Sequence, residues 1–163
     1  MKLNIQQLSK TDFLKLIIPA LVSVVYYLLK KNVWVAIFYL SGWYIGQLLM
    51  ILDKQIIYKY YYESIHQKND TFARLITRSI LFIIAFAGLS LFMVTSTGSM
   101  IGIGLVLGIG LTLAFELWSS RNYVEFFNQY FIQSKRNWTK VEMMNFIRIF
   151  LAFYLIMIIF SVI

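Results

Sequence analysis

The sequence contains no cysteine, which removes disulfides, thiolate nucleophiles and cysteine-built metal sites from the outset. Proline occurs once, at Pro19, and histidine once, at His66. Charge is scarce as well: Asp, Glu, Lys and Arg together make up 13% of the 163 residues. A water-soluble fold of this size would lack the polar surface to cover itself. No polar stretch exceeds about twenty residues, too short for a separate soluble domain, so residues 1–163 read as one transmembrane domain. Neither end carries a lipidation motif. No small-residue cleavage pattern follows the first apolar run, and the N-terminal segment reads as a retained anchor.

What fills the sequence instead is hydrophobic side chain, 60% of residues, with 18% aromatic. Apolar runs extend from about Phe13 to Leu29, Val33 to Leu52, Phe72 to Val94, Met100 to Trp118 and Met143 to Ile163. Each is near the roughly 20 residues that a helix needs to cross hydrocarbon. The expected fold is therefore an all-α integral membrane protein of about five transmembrane helices. The first run is the least regular, because Lys15 and Pro19 shorten it, and a tilted or interfacial helix is an alternative there.

The formal charge of +8 would suggest nucleic acid in a soluble protein, but here the basic residues flank apolar runs, where topology explains them. With the N-terminus inside, the inner side collects Lys2, Lys10, Lys15, Lys54, Lys59, Lys68, Arg74, Arg78, Arg121, Lys135, Arg136 and Lys140. The outer side holds Lys30 and Lys31. That asymmetry predicts a cytoplasmic-type (plasma) membrane protein with its N-terminus inside, its C-terminus outside and no nucleic-acid partner.

Two inner-side segments are expected to form amphipathic helical arms. The first, "DKQIIYKYYYESIHQKND" at 53–70, contains Tyr58 and Tyr61 and reads as an aromatic belt with snorkelling lysines. In the second, at 119–137, Tyr123, Phe126, Phe127, Tyr130 and Phe131 form an aromatic stripe opposite Arg121, Asn122, Glu125, Asn128 and Gln129. Such a stripe suits an anionic lipid surface at the inner face, a partner subunit or a neighbouring helix.

Glycine supplies the most specific pattern. Gly42 and Gly46 lie four apart in the second run, and Gly98, Gly102, Gly104 and Gly108 give the fourth run two more pairs at that spacing. Such spacing lets helices approach until their backbones touch, either within one chain, at a subunit interface or along a pore. A shift of 62 positions pairs Gly42 with Gly104, Gly46 with Gly108, Lys59 with Arg121, Tyr61 with Tyr123 and Glu63 with Glu125. On that reading the fold is two hairpins plus one further span.

Among ionisable residues, Asp53 and Glu116 end spans at the inner boundary, each with a basic residue expected as partner, Lys54 or Arg121. Arg148 falls inside the fifth span, where a cation is costly without snorkelling or a partner. Its candidate partners are Glu116, Asp53 and a lipid phosphate. Glu63 and His66 have i, i+3 spacing, but without a second histidine they make a poor metal site, and no metal or cofactor is expected. No nucleophile, base and acid set stands together.

These features predict a non-enzymatic subunit or scaffold of a membrane assembly, a homo-oligomer or the companion of another membrane protein. The alternative is a homo-oligomeric ion channel or small-solute transporter with span four and Glu116 on the pathway. A third reading is a lipid-modifying enzyme built from Asp53, His66, Arg74 and Arg78.

Overall fold

The chain has the length and hydropathy to form long helices, and a computed structural model describes residues 5–55, 75–96, 98–133 and 137–163, with side chains from Phe13 onward. All regular structure among the described residues is helical: α1 (Ile5–Lys30), α2 (Val33–Leu52), α3 (Ile80–Ser96), α4 (Met100–Ser120), α5 (Val124–Phe127) and α6 (Lys140–Val162). Windows within α1, α2, α4 and α6 are long and apolar enough to cross a membrane, and α3 is a shorter apolar helix of 17 residues.

Local chemistry sets the helix ends. Asn32 caps α2 by accepting the Val35 N–H, Ser99 caps α4 by accepting the Gly102 N–H, and Thr139 with Glu142 forms a reciprocal capping box on α6. α1 closes at Lys31, whose φ of 52° turns the chain in the left-handed region. The short α5 runs on into a wide π turn, Asn128–Ile132, that ends at left-handed Gln133. The 119–137 segment is thus not one continuous amphipathic helix: α4 takes Ser119 and Ser120, and a turn at 121–123 re-aims the chain. The first arm, with Tyr58, Tyr61, Glu63 and His66, lies mostly outside the described residues.

α4 is the centre of the bundle. It packs against α1, α2, α3, α5 and α6, and 61% of its apolar window is buried, against 17%, 39% and 28% for α1, α2 and α6. The closest packing joins α2 to α4, and glycine is the reason. A Cβ at Gly42 would overlap the Ile101 carbonyl and stand 2.9 Å from Leu105 N; one at Gly46 would overlap the Leu105 carbonyl. In return, Gly104 faces the Tyr39 carbonyl and Gly108 the Trp43 carbonyl. Hydrogens on the glycine Cα atoms stand where side chains would begin, so each helix directs weak Cα–H···O contacts at the other, worth about 0.5–1 kcal/mol apiece.

Partners ascend together along both helices, so α2 and α4 run parallel, and Gly42 meets Gly104 at the offset of 62 that the sequence comparison picked out. The remaining glycines act differently. Gly102 faces the tip of Met93, Gly110 leaves room for the Tyr154 ring, and Gly98 has nothing within 4 Å. Gly98 therefore does not belong to the packing set that its spacing suggested.

α1 is one helix through Pro19, and α2 supplies what the proline removes. Proline has no N–H for the carbonyl four residues back, here that of Lys15. The buried Gln47 amide donates to Lys15 O at 2.9 Å, and Tyr44 Oη donates to the neighbouring Leu16 O at 3.1 Å. In a membrane an orphan carbonyl has no water to turn to. Gln47→Leu should accordingly cost about 1–3 kcal/mol in the native chain and much less in a Pro19→Ala background, where the helical N–H returns. Unfolding titrations of the two singles and the double check this; equal costs in both backgrounds would refute it.

Candidate functional site

Asp53, Arg78 and Glu116 come from three separate elements and meet at one end of the bundle. Asp53 follows the last residue of α2, Arg78 closes a short 3₁₀ turn (Ile76–Arg78) before α3, and Glu116 lies one turn before the end of α4. The Arg78 side chain is fully buried, and the two carboxylates retain 13% and 18% exposure.

The guanidinium has five N–H donors in a rigid planar fork, and five contacts use them. Nε donates to Glu116 Oε2 at 3.0 Å and Nη2 to Oε1 at 3.2 Å, the bidentate arrangement, while Nη2 also reaches Met50 O at 3.0 Å. Nη1 donates to Asp53 Oδ2 and, at 2.7 Å, to Thr77 Oγ1, whose own hydroxyl donates to the same Asp53 oxygen. Met50 O is within reach because the end of α2 widens: the helix continues as a π turn over residues 53–55, and the Asp53 N–H is shared between Leu49 O and Met50 O.

Buried aromatic surface closes this end. Phe127, Tyr130 and Phe131 of the α5 segment turn inward, and Phe127 meets Trp138 at a tilt and Phe146 edge-on at centroid distances of 6.1 and 6.4 Å. The phenol of Tyr130 is raised above its usual value, first by burial and then by the charge of Glu116. Gln133 ties the same layer to the start of the 3₁₀ turn, donating to Leu75 O at 3.0 Å and Tyr130 O at 2.9 Å. Asn128 holds the far side of the loop with two bonds to the Trp138 backbone.

Several sequence expectations are corrected here. Lys54 is exposed and Arg121 stacks on the Trp118 ring at 4.0 Å, so neither serves as the salt-bridge partner of Asp53 or Glu116. Arg78 takes both acids, because it enters the bundle at their level with a fork that can serve two carboxylates. The interfacial stripe splits: Tyr123 is exposed, whereas Phe127 and Tyr130 are core, their rings covered by the chain's own helices. Arg148 is exposed on α6 and makes no polar contact with the described residues, while Asp53 and Glu116, its expected partners, are engaged by Arg78.

Of the residues proposed for lipid chemistry, Asp53 and Arg78 come together, while His66 and Arg74 lie outside the described residues. Among the described residues no three His, Asp or Glu side chains cluster as metal ligands. Gln47 is the residue that sequence reasoning passed over, and Arg78 was read as an inner-side cation and a lipid-chemistry candidate rather than as the partner of both acids. No family model matches the chain, and neither a curated protein nor a solved structure matches it.

Proposed function

We propose that the chain is a non-enzymatic subunit or scaffold of a membrane assembly, crossing a cytoplasmic-type membrane five times with its N-terminus inside and its C-terminus outside. In this reading α3 is the fifth crossing. Its support is that α3 starts beside the Asp53–Arg78–Glu116 cluster and ends where Met93 meets Gly102 at the opposite end of α4. The orientation rests on the concentration of lysine and arginine at the cluster end.

The observation that carries the functional reading is the enclosure of α4. Its glycines are closed against α2 or filled by Met93 and Tyr154, and its carboxylate is held by Arg78. A conduction path along α4 would have to open between faces already packed, at the cost of that ion pair. What the bundle offers outward is the surface of α1 and α6, where most of the apolar windows are uncovered. Assembly through the glycine faces themselves has no support, because those faces are spent within the chain.

Extraction from the native membrane into lipid nanodiscs, followed by mass determination of the intact particle, tests this reading. The expected result is a foreign membrane protein present in fixed stoichiometry. A closed ring of identical chains carrying ion flux that Glu116→Gln abolishes would replace it with the channel reading.

A further inference from the structure

α6 carries an anomaly on its outward side. Val141, Asn145, Arg148, Ile149, Ala152, Leu155, Ile156 and Ile159 are all exposed, and helical spacing groups them on one face. Among the last seven of those, Arg148 is the one charge, and it sits about 12 Å along the helix from Lys140, at about 1.5 Å per residue. Beside it, Trp138, Glu142, Asn145, Phe146 and Ile149 line an open groove of about 350 Å³. Asn145 is shared between the groove and the face, one turn from Arg148.

We propose that this groove and Arg148 hold the headgroup of an anionic bilayer phospholipid, the phosphodiester taken by Arg148 and Asn145 and one acyl chain lying along Ile149, Ala152 and Ile156. Three observations favour a lipid over a protein carboxylate. Asp53 and Glu116, the acids expected from within this chain, are bound to Arg78. Helical side chains lean toward the N-terminus of their helix, so the guanidinium of Arg148 is carried toward the Lys140 end of α6, where headgroups lie, and snorkelling relieves the cost of its depth.

The third observation is the wall of the groove. The Trp138 ring is half-buried against Phe127 and Phe146, just before α6 begins, and indole is favoured at the membrane boundary. Among the described residues the other charges nearby are Lys140, which adds to the attraction, and Glu142, whose carboxylate accepts from the Thr139 N–H at 2.8 Å and hydroxyl at 3.0 Å within the capping box. Tied back over the first turn, Glu142 lies nearly two turns below Arg148 and leaves the Asn145–Arg148 level to the phosphate.

Lipid capture at this groove is independent of whether the chain serves as a subunit, and its test needs no protein partner. Delipidated full-length protein in mild detergent would be titrated with dioleoyl-phosphatidylglycerol or dioleoyl-phosphatidylcholine and read by native mass spectrometry. Wild type should retain one phosphatidylglycerol with a preference of roughly tenfold or more over phosphatidylcholine, the scale of one added charge-assisted contact. Arg148→Gln should bring the two lipids to parity, and Arg148→Lys should keep part of the preference.

Equal binding of both lipids by wild type, or a preference that survives Arg148→Gln, would overturn the proposal. A photoreactive residue at position 149 that captures a protein and no lipid in native membranes would overturn it in favour of a partner helix. Because Arg148 is exposed, matched circular dichroism of wild type and variants separates lost binding from lost fold.

Discussion

Arg78→Met should lower the stability of the bundle by about 3–5 kcal/mol, the usual cost of removing one member of a buried ion pair. The loss is large because of what remains. Asp53 and Glu116 would face each other across the space that the guanidinium filled, with little water to screen them; Thr77 Oγ1 would lose its Arg78 donor, and Met50 O would keep only the shared Asp53 N–H. Arg78→Lys should fall between wild type and Arg78→Met, since an ammonium keeps the charge but has three donors and no planar fork.

Combining Arg78→Met with Asp53→Asn and Glu116→Gln should recover more than half of the loss. That non-additivity is the signature of coupled charges rather than of lost packing. Detergent-induced unfolding followed by circular dichroism measures all of these. A triple variant no more stable than Arg78→Met would mean that the five hydrogen bonds of the guanidinium, and not charge balance, hold this end of the bundle.

The second large effect is expected at the α2–α4 contact. Gly104→Leu with Gly108→Leu should destabilise the chain by about 2–6 kcal/mol, on the scale of two overpacked sites at about 1–3 kcal/mol each. Backbone, not a flexible side-chain tip, stands where each new Cβ would go, so the helices must separate. Lipid tails are as apolar as leucine, and no hydrophobic gain in this medium offsets the lost backbone approach.

Gly88→Ala is the control. Gly88 lies inside α3 with open space around its missing side chain, and alanine there should be neutral or stabilising by up to about 1 kcal/mol. If Gly88→Ala destabilised as much as the α4 pair, helix flexibility rather than close approach would be what the glycines provide. The same experiment bears on assembly. Should the α4 pair change the number of chains in the particle while each monomer stays folded, the glycine faces would be serving another chain after all.

Much of this was legible beforehand. Run lengths of apolar residues located α2, α4 and α6 to within a few residues, and the end but not the start of α1, which begins at Ile5 in the polar stretch before Phe13; the requirement for about 20 hydrocarbon-compatible positions is a local property that a one-dimensional string displays. Four-residue glycine spacing marked α2 and α4 as helices able to pack closely; the offset of 62, read as an internal repeat, coincides with the Gly42–Gly104 approach without having foretold that these two helices touch. Capping chemistry at Asn32, Ser99 and Thr139 is equally local but was not among the sequence expectations.

The partners were decided by tertiary structure alone. Which base meets Asp53 and Glu116 depends on how three helices are rotated about their axes and on a 3₁₀ turn that lifts Arg78 to their level, and nearest-neighbour reasoning along the chain selected Lys54 and Arg121 instead. The aromatic stripe of α5 satisfied lipid and protein interior equally well by composition; the turn at 121–123 and the π turn after it aim Phe127 and Tyr130 inward. Likewise, the gap that Pro19 leaves in α1 is visible in sequence, but that Gln47 fills it follows from the crossing of α1 over α2. Apolar run and glycine spacing, both local, were enough to show where the chain is apolar and which helices are able to pack closely; folding decided which polar groups satisfy one another, since in a medium without water each must find a partner from another helix.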